Sequence, residues 1–325
     1  MKNYTVRRFE PHYTAAWNAF VSTAKNATFL FHRDFMGYHA DRFQDYSLLV
    51  FDGEKLVALL PANRVENTVY SHQGLTYGGF VLGNQVKLGA SIAIIKSVLH
   101  FLHSNQIERL QLKTIPTIYT TAFSEEIQYV LFLTQAQVLR RDCLSVIDLT
   151  QPFSFSKDRK QCVRRGEKAQ LTIREETDFA PFWEQILRPN LEKKHQANPV
   201  HSEAEITLLQ QKFPENIRHF NVYHNDKLVA GTTVFVTETV AHPQYISGDA
   251  SKNELGSLDF LYDYLIHTVF KNKHFFDFGP SHEDNGRTIN EGILFWKESF
   301  GAKTTTQDYY ELETAQYTRL TNVMV

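Results

Sequence analysis

Three stretches of the chain carry side chains able to pass a proton near neutral pH. His72 stands in Ser71-His72-Gln73-Gly74, just ahead of Tyr77-Gly78-Gly79-Phe80, and an imidazole titrates closer to neutrality than any other side chain. Asp249 ends Tyr245-Ile246-Ser247-Gly248-Asp249, where a carboxylate either accepts a proton or caps the turn that follows. His282 and Glu283 follow the apolar run 275–278 through Gly279-Pro280-Ser281. Groups at strand ends of α/β sheets meet ligands; the same residues also suit a polar turn into Asn285-Gly286. Lys297, in Phe295-Trp296-Lys297-Glu298, lies on an amphipathic helical pattern and is expected to pack its stem on Trp296 or Phe300.

Two further stretches suit an anion. Ser251-Lys252-Asn253-Glu254-Leu255-Gly256-Ser257 precedes an apolar segment of helical spacing (Leu258, Leu261, Leu265, Val269), and backbone N–H groups at a helix start can hold phosphate. A glycine there also serves as plain turn chemistry. Residues 154–168 hold Lys157, Arg159, Lys160, Arg164, Arg165 and Lys168 against Asp158 and Glu167. Such a run is either a solvated connecting helix or a phosphate clamp, since guanidinium and ammonium groups supply the donors phosphates take. His100 and His103 share a helix face but have no HExxH or paired carboxylate beside them, so no metal is expected.

The elements that must position these residues occur twice. Lys-Leu-Val-Ala stands at 55–58 and again at 227–230, each time after an apolar strand and a short polar turn, the pattern of a hairpin. Downstream of the first comes Leu88-Gly89-Ala90-Ser91 and an apolar helix, then the strand Leu110-Gln111-Leu112. Downstream of the second comes Leu255-Gly256-Ser257-Leu258 and an apolar helix, then the strand 275–278. The order hairpin, strands, glycine-led helix, strand predicts two α/β units, each a mixed central sheet flanked by helices. The expected division is 1–150, a basic connecting helix over 151–170, and 171–325.

With 325 residues the chain is long enough for two ordinary domains. Apolar residues make up 42% and charged ones 22%, the balance of a folded soluble protein. A net charge of -2 gives no general field for DNA. The two cysteines, Cys143 and Cys162, form no CxxC and fit a reducing compartment. MKNYTVRRFEPHY lacks the apolar stretch of a signal peptide, and no apolar run spans a membrane. The expectation is therefore a cytoplasmic protein. No GxSxG is present, so no nucleophile elbow is expected.

Three segments resemble the Fem-like branch of the GNAT superfamily. They are ATFLFHRDFMGYHADRFQDYSLLVFDGEKLVALLPAN (27–63), SFSKDRKQCVRRGEKAQLTIRE (154–175) and FDFGPSHEDNGRTINEGILFWKESFGAK (276–303). With the repeat, the resemblance spans nearly the whole chain, and it implies tandem GNAT-like repeats transferring an acyl or aminoacyl group to an amine. Long coiled-coil insertions, frequent in members that use aminoacyl-tRNA, are not visible here, which favours acyl-CoA as co-substrate. Within the CoA-using group the chain is similar to N-acyltransferases of dTDP-linked 3-amino-3,6-dideoxyhexoses in O-antigen synthesis, including transfer of a 3-hydroxybutanoyl group.

The chemistry then needs a proton acceptor for the amine and a donor for the oxyanion, but no covalent intermediate. The resemblance puts the site in a cleft between the repeats. Candidates for proton transfer are Asp249, His72 and His282. Ser247, Ser251, Asn253, Gly256 and Ser257 would hold the CoA pyrophosphate, and the sequence there reads as a degraded GNAT pyrophosphate loop. Tyr77, Arg159, Arg164, Arg165, Tyr245 and Glu283 would contact the nucleotide-linked amino sugar. Two rivals stay open: an aminoacyl-tRNA-dependent transferase acting on a peptidoglycan precursor, and a tandem GNAT that binds a ligand without catalysis.

Overall fold

The hairpins predicted from Lys-Leu-Val-Ala both form, one in each unit. The computed structural model describes residues 2–195 and 198–324. The chain divides into one unit of residues 1–142 with 306–325 and a second of 143–305. Residues 306–325 thus group with the first unit, a division that differs from the expected 171–325.

In the first unit, β1 (Thr5–Arg8) and helix α1 (Thr14–Val21) lead to β2 (Leu48–Asp52) and β3 (Lys55–Leu60). Gly53, at φ 60°, makes the tight turn between these two strands. Then come β4 (Asn63–Val65), β5 (Thr68–Tyr70), β6 (Val81–Leu82), helix α2 (Leu88–Ser104), β7 (Arg109–Lys113), helix α3 (Glu126–Leu133) and β8 (Gln137–Asp148). The sheet orders are β1-β2-β3-β6 and, with β16 (Lys303–Glu313) inserted, β4-β5-β7-β16-β8. Helix α2 buries Ile94, Ile95, Val98, Leu99 and Leu102, positions that recur on one face at helical period. They pack with Leu48, Val50, Leu110, Leu112 and Leu312.

The second unit repeats this order. Helix α4 (Lys157–Lys168), β9 (Thr172–Glu176) and helix α5 (Glu203–Lys212) precede the second hairpin, β10 (Ile217–His224) and β11 (Lys227–Val236). Asn225 and Asp226 both have positive φ in its two-residue turn, as a type I′ turn requires. After β12 (Val240–Gly248) come helices α6 (Lys252–Leu255) and α7 (Ser257–Tyr264), then β13 (Phe275–Pro280), the small ribbon β14 (His282–Glu283) with β15 (Thr288–Ile289), and helix α8 (Glu291–Glu298). Strand order is β8-β13-β12-β11-β10-β9, with β12 and β13 parallel. Phe220, Val222, Val234, Leu261, Tyr262, Phe276, Phe278 and Phe300 fill its core. Each unit is therefore a mixed sheet flanked by helices.

Helix α4 is a brace. Ser156 caps it by accepting from the Arg159 backbone N–H at 3.2 Å, and Arg159, Val163 and Gly166 turn inward. Arg159 pairs with Asp259 of α7, and its Nε donates to Ser299 Oγ at 2.9 Å. The Arg159 side chain is 10% exposed and finds its partners inside the unit. Lys157, Lys160, Arg164 and Lys168 remain exposed. At helical spacing these four fall on one stripe.

No helix among the described residues is long and apolar enough to cross a membrane. No group of three or more metal-ligating side chains is present among them.

Candidate functional site

Strands β12 and β13 pair over two positions, Val240 with Phe275 and Ala241 with Phe276, and then part. Past that point β12 stays with β11 up to Gly248, while β13 follows β8 to Pro280. The register of β12 slips beside Gln244, which has no residue opposite it on β11. Such a bulge bends and re-aims a strand. The result is a fork inside the sheet whose facing edges have no strand partner among the described residues beyond Ala241 and Phe276.

A charged network sits in this fork. Alternation along Phe276-Asp277-Phe278 sends the two rings to the core and Asp277 to the opposite face. His242 Nδ1 lies 2.9 Å from the Asp277 backbone carbonyl and 3.4 Å from its Oδ2. A carbonyl only accepts, so Nδ1 carries the proton and donates. Asp277, 2% exposed, accepts from the Gly279 backbone N–H at 2.7 Å. Gly279 has φ +71°, and a Cβ there would come within 3.1 Å of His242 Cε1, so the turn both needs glycine and leaves the ring its place.

Lys297 reaches in from α8. Its Nζ donates to the carbonyls of Gly279 at 3.0 Å and Pro280 at 2.6 Å. The residue is 4% exposed. Burial pushes the ammonium down to about 8, with nearby Asp277 working the other way, as a charged base held in low dielectric should behave. Titratable groups shifted by burial beside a specific charge tend to mark functional sites. Beside them Trp296 stacks edge-on against Tyr262, Phe278 and Phe300.

The residues singled out from sequence have different fates. Asp249 Oδ1 accepts from the backbone N–H of Ser251 at 2.9 Å and from its Oγ at 2.5 Å, so it caps the turn. Residues 252–255 form a helical turn, α6. Gly256, at φ +67°, lies so close to α4 that a Cβ would be 2.2 Å from the Cys162 carbonyl oxygen. The missing Cβ lets this turn pack closely on α4. Arg165 Nη1 donates to the Asn253 carbonyl at 2.8 Å, tying α4 to the same turn, while Arg164 stays exposed. The Ser257 hydroxyl is buried and has no partner among the described residues.

Ser247 Oγ accepts from Asn190 Nδ2 at 2.8 Å. Tyr245 is interior: its ring packs on Trp183 and its hydroxyl accepts from the His201 backbone N–H at 3.0 Å. Tyr77 is likewise 2% exposed and donates to Thr28 Oγ1 at 3.0 Å. His282 pairs through its backbone with Ile289, and Glu283 accepts from Asn290 Nδ2 at 3.0 Å.

His72 belongs to the first unit, is 5% exposed, and packs against His39 and Phe43. Burial, reinforced by His39, pushes it down to about 3, which keeps the enclosed ring neutral near pH 7. The folded value lies below the unfolded one near 6.5. The stability it contributes is complete above pH 6.5 and is lost as pH falls toward 3. From pH 7 to 5 this single ring should remove about 2 kcal/mol. Urea midpoints of wild type and His72→Gln at the two pH values check this; equal pH slopes for both would refute it.

Asp277 and His242 were not singled out from sequence, and Lys297 was read as packing. One signal was available: Asp277 is the charged residue inside the apolar run Phe275-Phe276-Asp277-Phe278, and an unpaired charge is not buried without cause.

No family model matches the chain, and no curated protein matches it in sequence. Solved structures do match in fold. FemX shows a TM-score of 0.67 at 9% identity over 98% of this chain and 99% of that one. L-PGS from Bacillus licheniformis shows 0.61 at 15% identity over 97% and 98%. A tandem GNAT protein from the clavulanic acid biosynthesis pathway shows 0.50 at 12% identity over 96% and 99%. At such identities the likeness is one of fold, and that fold, with its twice-repeated mixed sheet flanked by helices, is the tandem GNAT-like one.

Proposed function

We propose that the protein is an N-acyltransferase that moves an acyl group from an acyl-CoA thioester to the amine of a nucleotide-linked amino sugar. The observation that carries the transfer chemistry is the fork between β12 and β13. Strand edges without a strand partner can grip an extended ligand arm by backbone hydrogen bonds, and a thioester arm is such a ligand. Backbone N–H groups of a bulged strand can also meet an oxyanion, the charge that develops when an amine adds to a carbonyl. Lys297 fixes the far side of the fork by holding the Gly279 and Pro280 carbonyls, and its cation supports negative charge built up nearby. The full-length fold likeness to FemX and the tandem GNAT protein supports the same class. The amino sugar, the dTDP carrier and the 3-hydroxybutanoyl group rest on the resemblance of the three sequence segments.

Release of free CoA thiol over a panel of dTDP- and UDP-linked amino sugars tests this. Release above the rate of thioester hydrolysis should require the amine. If no amino sugar raises it, the reading fails.

A second reading, an aminoacyl-tRNA donor, is favoured by one observation, the stripe of exposed Lys157, Lys160, Arg164 and Lys168 on α4. Phosphate contacts by such cations make affinity fall steeply with salt. Tight binding of charged tRNA, lost between low and moderate salt, would select it; salt-independent or absent binding would dismiss it.

A further inference from the structure

We infer that His242 is the general base of the transfer, accepting the proton of the attacking amine at Nε2, with Asp277 as its positioning residue. The inference rests on the transferase reading of the fork and names the catalytic group within it.

Three observations carry it. First, the hydrogen bond from Nδ1 to the Asp277 carbonyl fixes the tautomer, so the lone pair stands on Nε2. Second, no described residue engages Nε2, and His242 stands just past the last paired position, where the two strands part, with its side chain 12% exposed. Third, the ring cannot wander: the Asp277 carboxylate lies 3.4 Å from Nδ1, and the Cβ-less Gly279 lets Cε1 approach the turn. An imidazole held on one nitrogen by a backbone carbonyl, with a carboxylate beside it and the other nitrogen open, can serve as a general base. The charged groups at the fork are Asp277 on β13 and Lys297 on α8; the residue opposite on β11 is Phe235, which is apolar.

The step balances without a further reagent. The amine nitrogen forms a C–N bond to the acyl carbon, and the carbonyl π pair moves to oxygen. Nε2 takes the proton released by nitrogen. The tetrahedral centre then collapses, the C–S bond breaks, and the imidazolium returns that proton to the leaving sulfur. With an aminoacyl ester donor the same sequence breaks C–O and protonates oxygen.

The test uses the full chain with thioester and aminoacyl-tRNA donors and a panel of amines. His242→Gln should lower kcat about 100-fold or more with KM little changed. His242→Ala should behave likewise and recover activity with added imidazole, a rescue that a purely structural role would not show. Asp277→Asn should give a smaller loss that imidazole does not repair. Urea midpoints of the variants confirm that they fold. Wild-type transfer that survives His242→Gln within threefold overturns the base assignment alone. Absence of wild-type transfer with every donor overturns the transferase reading and this inference together.

Discussion

Asp259→Ala should cost about 3–5 kcal/mol of stability, because it leaves the Arg159 guanidinium buried without its counter-charge. Both side chains of the pair are 10% exposed, so water cannot take over the role of the missing carboxylate. Asp259 also accepts from Trp296 Nε1 at 3.0 Å, and that donor would be stranded as well. Ser299 Oγ still accepts from the guanidinium, and the rings of Phe300 and Trp296 lie beside it, which keeps the loss at this level and not higher. The discriminating control is the double variant Arg159→Met with Asp259→Leu. Removing both charges avoids an unpaired ion, and an apolar pair of similar volume is commonly neutral or stabilising. Urea denaturation should therefore place the double variant well above Asp259→Ala and near wild type. Equal losses in both would mean that the ion pair is not what holds α4 to α7.

Gly256→Ala should be the most damaging glycine replacement at the junction of the two helices. The new Cβ would stand 2.2 Å from the Cys162 carbonyl oxygen, a backbone atom that can retreat only if α4 moves. Backbone conformation adds to this, since φ is +67° and a left-handed residue with a Cβ costs about 1–2 kcal/mol. Forced repacking adds about 1–3 kcal/mol, for a total of about 2–5 kcal/mol. Gly53 isolates the two contributions: its φ is +60°, yet nothing lies within 4 Å of a Cβ there. Gly53→Ala should show the backbone share alone. If the two variants unfold at the same urea concentration, the close approach of α4 has no energetic weight.

Both predictions concern α4, and both change how its basic residues are understood. In the sequence, Arg159, Arg164 and Arg165 are three equivalent positive charges. In the folded unit Arg159 is an interior strut, Arg165 holds the Asn253 carbonyl, and Arg164 faces solvent. Nothing in a run of cations says which one turns inward; that depends on the carboxylate of Asp259, one hundred residues away.

The candidate site was legible to a similar degree. His72 and Asp249 were chosen for residue type and position at element ends. One proves enclosed beside His39 and the other caps its own turn, because the same polarity that suits catalysis also suits turns. The fork was not visible, since two strands that pair and then part carry the same apolar pattern as two that stay together. His242 and Asp277 stand thirty-five residues apart and meet only because β12 and β13 run parallel across the helical crossover between them.

What the sequence determined by itself was the local order of elements. The repeated Lys-Leu-Val-Ala hairpins, the glycine-led helices and the strands after them follow from turn chemistry and apolar periodicity, which act over a few residues. Tertiary structure alone decided where the ends and the charges go. The strand 306–313 returns to the first unit, where Tyr309 to Glu313 pair with β7, and Lys297 is carried under the Gly279 and Pro280 carbonyls. The physical reason is the same in each case. A strand edge or a buried charge is satisfied by whichever distant partner the packed core brings to it, and that partner is not written in its own neighbourhood.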